Sequence, residues 1–177
     1  MSLTSNRRQE MLRVDHAGEY GAVAIYRGQL AVFERQQGRE KITGQLQEMS
    51  AQEREHLDAF DKLLVAGSVR PTALSPLWNA AGFALGAATA LLGEKAAHAC
   101  TESVETVIEE HYGDQVAELE AAGESELAAR MSKFRDDEVA HKELAVAEGA
   151  AQAPAYPLLS ALIRFGCRAA IRISEKV

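Results

Sequence analysis

Residues 52–60 read QEREHLDAF. Stepping through this stretch and its flanks in alternating threes and fours gives Leu46, Met49, Glu53, His56, Phe60 and Leu63. That is the inward-facing stripe of a helix in a bundle. Four members are apolar, and the middle two are a carboxylate and an imidazole. The same exchange recurs in Leu127, Met131, Phe134, Glu138, His141, Ala145. Two further stripes carry a central glutamate. One is Leu12, His16, Glu19, Val23, Tyr26, Leu30, Phe33; the other, noisier, is Leu91, Glu94, His98, Thr101, Glu105, Ile108, Tyr112, Gln115, Leu119.

Outward from these stripes the chain reads as helix throughout, with no β-alternating run. Its four prolines, Pro71, Pro76, Pro154 and Pro157, interrupt none of the long periodic stretches. Helices are predicted over 8–37, 40–66, 77–121 (bent near Gly93), 125–148 and 158–175. A short turn around Gly38 makes the first two antiparallel neighbours. The breaker-rich GSVRPTALSP (67–76) is a longer connection. The expected fold is all-α: a ferritin-like four-helix bundle with a crossover, plus a C-terminal amphipathic helix. A single domain is expected over 1–177, with the bundle core at 8–150 and a membrane-surface helix at 155–175.

With 177 residues, 47% of them hydrophobic, the chain can bury one sizeable core. Its net charge of −7 argues against a nucleic-acid partner. Cys100 and Cys167 make no disulfide framework, which fits a reducing compartment. The start, MSLTSNRRQEML, has no apolar signal core, and the residues before Met11 are too few for a transit peptide. The expected location is peripheral, on the cytoplasmic face of the cell membrane. LWNAAGFALGAATALL (77–92) has one polar member, Asn79, and reads either as a buried core helix or as an apolar surface at a membrane. In the last helix Arg164, Arg168 and Arg172 form one stripe beside a broad apolar face. That pattern suits a helix lying among lipid headgroups; an ordinary helix packed on the bundle is the other reading.

Glu53 follows Glu19 by 34 residues, and Glu138 follows Glu105 by 33. Each half of the chain offers Glu on one helix and Glu-x-x-His on the next. Brought to one level of the core, the two halves give four carboxylates and two imidazoles, the ligand set of a di-iron or di-manganese site. An unpaired buried carboxylate costs several kcal/mol, so four at one level require cations. Two divalent ions neutralise four carboxylates. Oxygen and imidazole donors suit iron or manganese. A Glu-rich bundle with solvated glutamates and surface histidines is the alternative reading of the pattern.

The stretch RVDHAGEYGAVAIYRGQLAVF (13–33) resembles the signature of the demethoxyubiquinone hydroxylase family, and the likeness continues through EREHL, ACTESVETVIEEHY (99–112) and KFRDDEVAH (133–141). By this resemblance Glu19, Glu53, His56, Glu105, Glu138 and His141 are the metal ligands; it selects Glu105 over Glu102 and Glu109. It also implies that His111 and Tyr112 lie near the metals and the quinone head and serve catalysis. Asp15, His16 and Asp136 belong to the motifs and are expected to hydrogen-bond the ligands, whereas His98 is expected to be a packed residue or one that supports the ligands from behind. The implied reaction is hydroxylation of the ring of a polyprenyl demethoxyubiquinone, a step of ubiquinone biosynthesis. It uses O2 at two iron ions per chain, with NADH as the external electron donor. The implied partners are the polyprenyl quinone, O2, the membrane surface and other ubiquinone-biosynthesis proteins. Two other functions fit the pattern: a ferritin-like ferroxidase or peroxidase with the same six ligands, and a metal-free lipid-binding scaffold.

Overall fold

A computed structural model describes residues 3–176. Met1, Ser2 and Val177, which the domain expectation includes, lie outside the described residues. Among the described residues six α-helices follow one another: α1 Ser5–Phe33, α2 Glu40–Gly67, α3 Ser75–Leu91, α4 Glu94–Ala122, α5 Ser125–Ala147 and α6 Tyr156–Ser174, with a 3₁₀ turn at Ala150–Gln152. The described residues contain no strand. The architecture is the all-α ferritin-like bundle, with α1, α2, α4 and α5 carrying the inward stripes and α3 in the crossover.

Local chemistry sets the helix ends. Thr4 Oγ1 accepts from Arg7 N at 3.3 Å and caps α1. α1 stops at Phe33, four residues short of its predicted end, because the turn 34–38 closes with Gly38 at φ +75°. α4 ends at Ala122 and is capped by Gly123, also left-handed, with Glu124 N reaching back to Leu119 O at 2.9 Å.

The predicted continuous helix 77–121 is two helices. Gly93 takes φ +111° and ψ 173°, a conformation that L side chains rarely adopt, so the chain breaks there rather than bending. Leu91, placed on an inward stripe by the sequence, is 73% exposed because α3 ends at it. Nor is 77–92 a core helix. It packs on α1 along a seam of small residues and leaves Leu77, Phe83, Leu91 and Leu92 exposed.

The core is layered along the bundle axis. One apolar cluster contains Met11, Phe60, Leu119, Met131 and Phe134, and another contains Tyr26, Phe33, Ile42, Leu46 and Met49. On every bundle helix the Glu and His positions fall between these two clusters in sequence. The polar layer is therefore sealed above and below. The last helix packs on α4, with Ile163 buried beside Cys100 and Val104.

The seam between α1 and α3 depends on missing side chains. A Cβ at Gly86 would overlap the Ile25 carbonyl oxygen, and one at Gly82 would sit 2.7 Å from Gly21 O. We expect Gly86→Ala to destabilise the fold by about 1–3 kcal/mol. Gly44→Ala, in open space inside α2, is expected to stabilise it by about 0.5–1 kcal/mol. Urea unfolding of both variants checks the pair.

Candidate metal centre

The bundle brings Glu19, Glu53, His56, Glu105, Glu138 and His141 together, all at most 3% exposed. The i, i+3 spacing on α2 and on α5 aims a carboxylate and an imidazole from each helix into the layer. Two quartets result: Glu19, Glu53, His56 and Glu138, and Glu53, Glu105, Glu138 and His141. In each, one donor atom per residue lies within 4.8 Å of all the others. Glu53 and Glu138 belong to both quartets and stand between them, whereas Glu19 and Glu105 belong to one each and are the outer carboxylates.

Both imidazoles point Nδ1 inward. His56 Nδ1 is 3.1 Å from Glu138 Oε1 and 3.7 Å from Glu19 Oε2, and His141 Nδ1 is 3.1 Å from Glu138 Oε2 and 3.2 Å from Glu53 Oε1. Their outer nitrogens are also held. His56 Nε2 donates to Asp137 Oδ2 at 3.1 Å and His141 Nε2 to Gln52 Oε1 at 2.6 Å. Such outer acceptors fix the tautomer and leave Nδ1 free for a cation. Glu53 Oε1 is buried and makes no hydrogen bond, an orphaned acceptor inside the layer. Oxygen-rich donors with one imidazole each fit a pair of hard or borderline divalent cations.

Electrostatics records the strain of this layer without cations. Burial raises Glu53 well above the usual carboxylate range, and the charges of Glu138, Glu19 and Glu105 raise it further. Glu105 is raised too, first by burial and then by Glu138. At His56 burial lowers the pKa, but hydrogen bonds to Glu138 and Glu19 and their charges outweigh it and lift the group to about 10. Glu138 is lowered: the hydrogen bonds and charges of His141 and His56 overcome the effect of burial.

A cavity of about 580 Å³ reaches this layer from the side. Helices α1, α3, α4 and α6 wall it, and Glu19, Glu53, Glu105, Glu138 and Tyr112 stand among its otherwise mostly apolar lining. Its exposed lining residues include Leu162 and Gly166 on α6 and Ala81 on α3, so it opens between these two helices.

Other sequence-selected residues divide. Tyr112 Oη donates to Glu19 Oε1. His111 lines the cavity, and its Nε2 lies 3.0 Å from Asp15 Oδ1; Gln115 Nε2 donates to the same oxygen at 2.8 Å. Asp15 thus supports His111 rather than a ligand. His16 Nε2 pairs with Asp61 at 3.0 Å, away from the six. Asp136 is 67% exposed and binds Arg135 at 3.0 Å, so the expectation that it supports a ligand is corrected. Its neighbour Asp137 does so instead. Position 136 is two residues, about 200°, from Glu138 on an α-helix and faces outward. His98 is packed, at 2% exposure. In the stripe expected to face headgroups, Arg164 binds Glu102 at 2.6 Å and Arg168 binds Glu110 at 2.7 Å, both on α4; Arg168 and Arg172 are exposed. Gln52 and Tyr26 were not singled out from the sequence, and Glu102 stood there only as an alternative to Glu105. Tyr26 was in the α1 stripe with no role assigned to it.

The fold and this layer define a class: ferritin-like helical bundles whose buried carboxylates and histidines can hold metal. Within it, the chain belongs to the family of the ubiquinone biosynthesis protein COQ7, whose family model matches residues 6–174. It is 53% identical over 166 residues to the 3-demethoxyubiquinol 3-hydroxylase of Rhodospirillum rubrum and 47% identical over 170 residues to the mitochondrial NADPH-dependent 3-demethoxyubiquinone 3-hydroxylase of Homo sapiens. Both comparisons cover 94% of this chain and 76% of the relative. The mitochondrial 5-demethoxyubiquinone hydroxylase of Saccharomyces cerevisiae is 38% identical over 181 residues, covering 94% of this chain and 77% of its own. These relatives lend no support to the ferroxidase or scaffold readings.

The titration shifts fix the sign of a pH effect. For His56 the raised folded value means a stabilisation fully present below 6.5 and lost as pH climbs through about 10. The raised Glu53 and Glu105 act in the same direction from 4.5 upward, whereas the lowered Glu138 stabilises above 4.5 and is lost only on acidification. Chelator-treated protein is therefore expected to melt at progressively lower temperature between pH 6.5 and 10. A divalent cation at about 100 times its dissociation constant restores about 2.7 kcal/mol. Thermal melts across that range, with chelator and with ferrous or manganous ion, check both statements.

Proposed function

We propose that this chain hydroxylates the ring of a polyprenyl demethoxyubiquinone with O2, a step of ubiquinone biosynthesis, using two iron ions held by Glu19, Glu53, His56, Glu105, Glu138 and His141. One observation carries the reading: the carboxylate–imidazole layer stands at the inner end of an apolar cavity that opens among exposed apolar side chains. The size lies within the range of about 300–1,000 Å³ typical of small-molecule sites.

Iron held by these six residues would supply the activation of O2, with electrons from outside the chain. The protein supplies the rest. Asp137 and Gln52 hold the two imidazoles in the tautomer that leaves Nδ1 to the metal. The apolar clusters at either end keep water from the layer. The ring enters past Leu162 and rests against Val104, Ile108 and Tyr112. His111, oriented by Asp15, stands in the cavity wall as a proton carrier for the ring oxygens. Burial lowers its pKa, but the hydrogen bond and charge of Asp15 outweigh this and raise it. No dinucleotide-binding motif lies in the chain, so a reduced nicotinamide acts as an external donor. We assign NADH, while the names of the mammalian relatives specify NADPH.

A polyprenyl tail requires a lipid reservoir. Leu158, Leu162 and Phe165 on α6 are 63%, 61% and 74% exposed, and Leu77 and Phe83 on α3 are exposed as well. No described helix is long and apolar enough to cross a membrane. We assign these side chains, with Arg172, to peripheral contact with the cytoplasmic face of the cell membrane. Deleting α6 would also strip a cavity wall, so point variants are the cleaner probe. Leu162→Glu with Phe165→Glu is expected to abolish co-flotation with vesicles while leaving iron content unchanged.

The reaction is tested with iron-loaded protein, a reductant, O2 and demethoxyubiquinone. A product heavier by one oxygen atom, about two irons per chain, and loss of both in Glu138→Ala are expected. Iron uptake without conversion of the quinone would overturn the reading.

A further inference from the structure

Tyr26 follows Glu19 by seven residues on α1, and Tyr112 follows Glu105 by seven on α4. Both are 1% exposed. Tyr26 Oη donates to Glu105 Oε1 at 3.1 Å, and Tyr112 Oη donates to Glu19 Oε1. The bonds cross: each helix supplies one outer carboxylate and the tyrosine that holds the other.

Their surroundings differ. Tyr112 lines the cavity and is open to whatever enters. Tyr26 does not. It belongs to the apolar cluster with Phe33, Ile42, Leu46 and Met49, its hydroxyl 3.8 Å from Met49 Sδ and its ring edge-on to His141 with centroids 6.3 Å apart. Phenylalanine would fill this space without taking a hydroxyl out of water. The hydroxyl therefore has a use that packing does not supply, and Glu105 is its polar partner. A glutamate side chain has three rotatable bonds, so a Glu105 carboxylate held by nothing else can swing within the layer. A donor on Oε1 arrests that swing and leaves Oε2 for a cation.

We propose that Tyr26 is a positioning residue that sets the Glu105 carboxylate for the cation in the quartet of Glu53, Glu105, Glu138 and His141. This rests on the metal-centre reading above. It predicts that the two cation sites can be weakened one at a time: Tyr26→Phe affects the His141 site, and Tyr112→Phe the His56 site.

Cobalt(II) titration of the full chain, followed by visible absorption and paramagnetically shifted histidine resonances, tests it. The wild-type chain is expected to take up two cobalt ions. Tyr26→Phe is expected to weaken one of them by about 10–100-fold and leave the other unchanged. At one equivalent only the His56 ring is then shifted. Met49→Leu, which keeps the hydroxyl and its bond, is expected to match wild type. Wild-type affinities in Tyr26→Phe, an equal weakening in Met49→Leu, or failure of metal-free Tyr26→Phe to fold would each overturn the assignment by making Tyr26 a packing residue. Fewer than two cobalt ions on the wild-type chain would overturn the metal centre itself.

Discussion

Four carboxylates at one level of a helical bundle repel one another and lose their hydration together. That constraint organises the molecule. Glu53 and Glu105 are driven up in pKa, whereas Glu138 stays ionised because imidazoles face both of its oxygens. Protons can quiet part of the layer, but Glu53 Oε1 still makes no hydrogen bond, although His141 Nδ1 stands 3.2 Å away. Divalent cations held by the two quartets would supply the missing charge in the geometry already present. Apolar clusters at both ends give the layer a low-dielectric setting, in which mispairing is costly and correct pairing strong.

The six layer residues were legible in the sequence because a bundle helix has little freedom. Inward positions recur every three or four residues, and a charged group in such a slot either finds a counter-charge or breaks the core. Periodicity alone could not choose among Glu102, Glu105 and Glu109 on α4; the family resemblance did. In the structure Glu102 serves a different purpose. It accepts from Arg164 and Tyr156 and ties α6 to α4.

What the sequence did not disclose depends on contacts between helices. Asp136 and Asp137 are chemically equal neighbours, and only the rotation of α5 against α2 gives Asp137 the His56 contact. The arginine stripe on α6 was correctly seen as a stripe, yet stripes do not name their partners. Glu102 and Glu110 on α4 claim two of the three arginines. Gly93 was legible as a weak point but not as a full break, since glycine tolerates both helical and extended backbone. Tyr26 was hidden by its own ambiguity: an aromatic ring in an inward slot looks like filling until its hydroxyl is placed.

The centre itself is nearly two-fold, with matched quartets and crossed tyrosines, but its cover is one-sided. Helices α3 and α6 roof the same flank, the one through which Glu19 and Glu105 meet the cavity, while Met49 backs Tyr26 behind His141. Had the chain run on as one helix through Gly93, α3 would have extended α4 instead of lying across α1, and that flank would have lost part of its roof. A single left-handed glycine thus gives a symmetric core a front and a back, and fixes the direction from which a reactant can approach it.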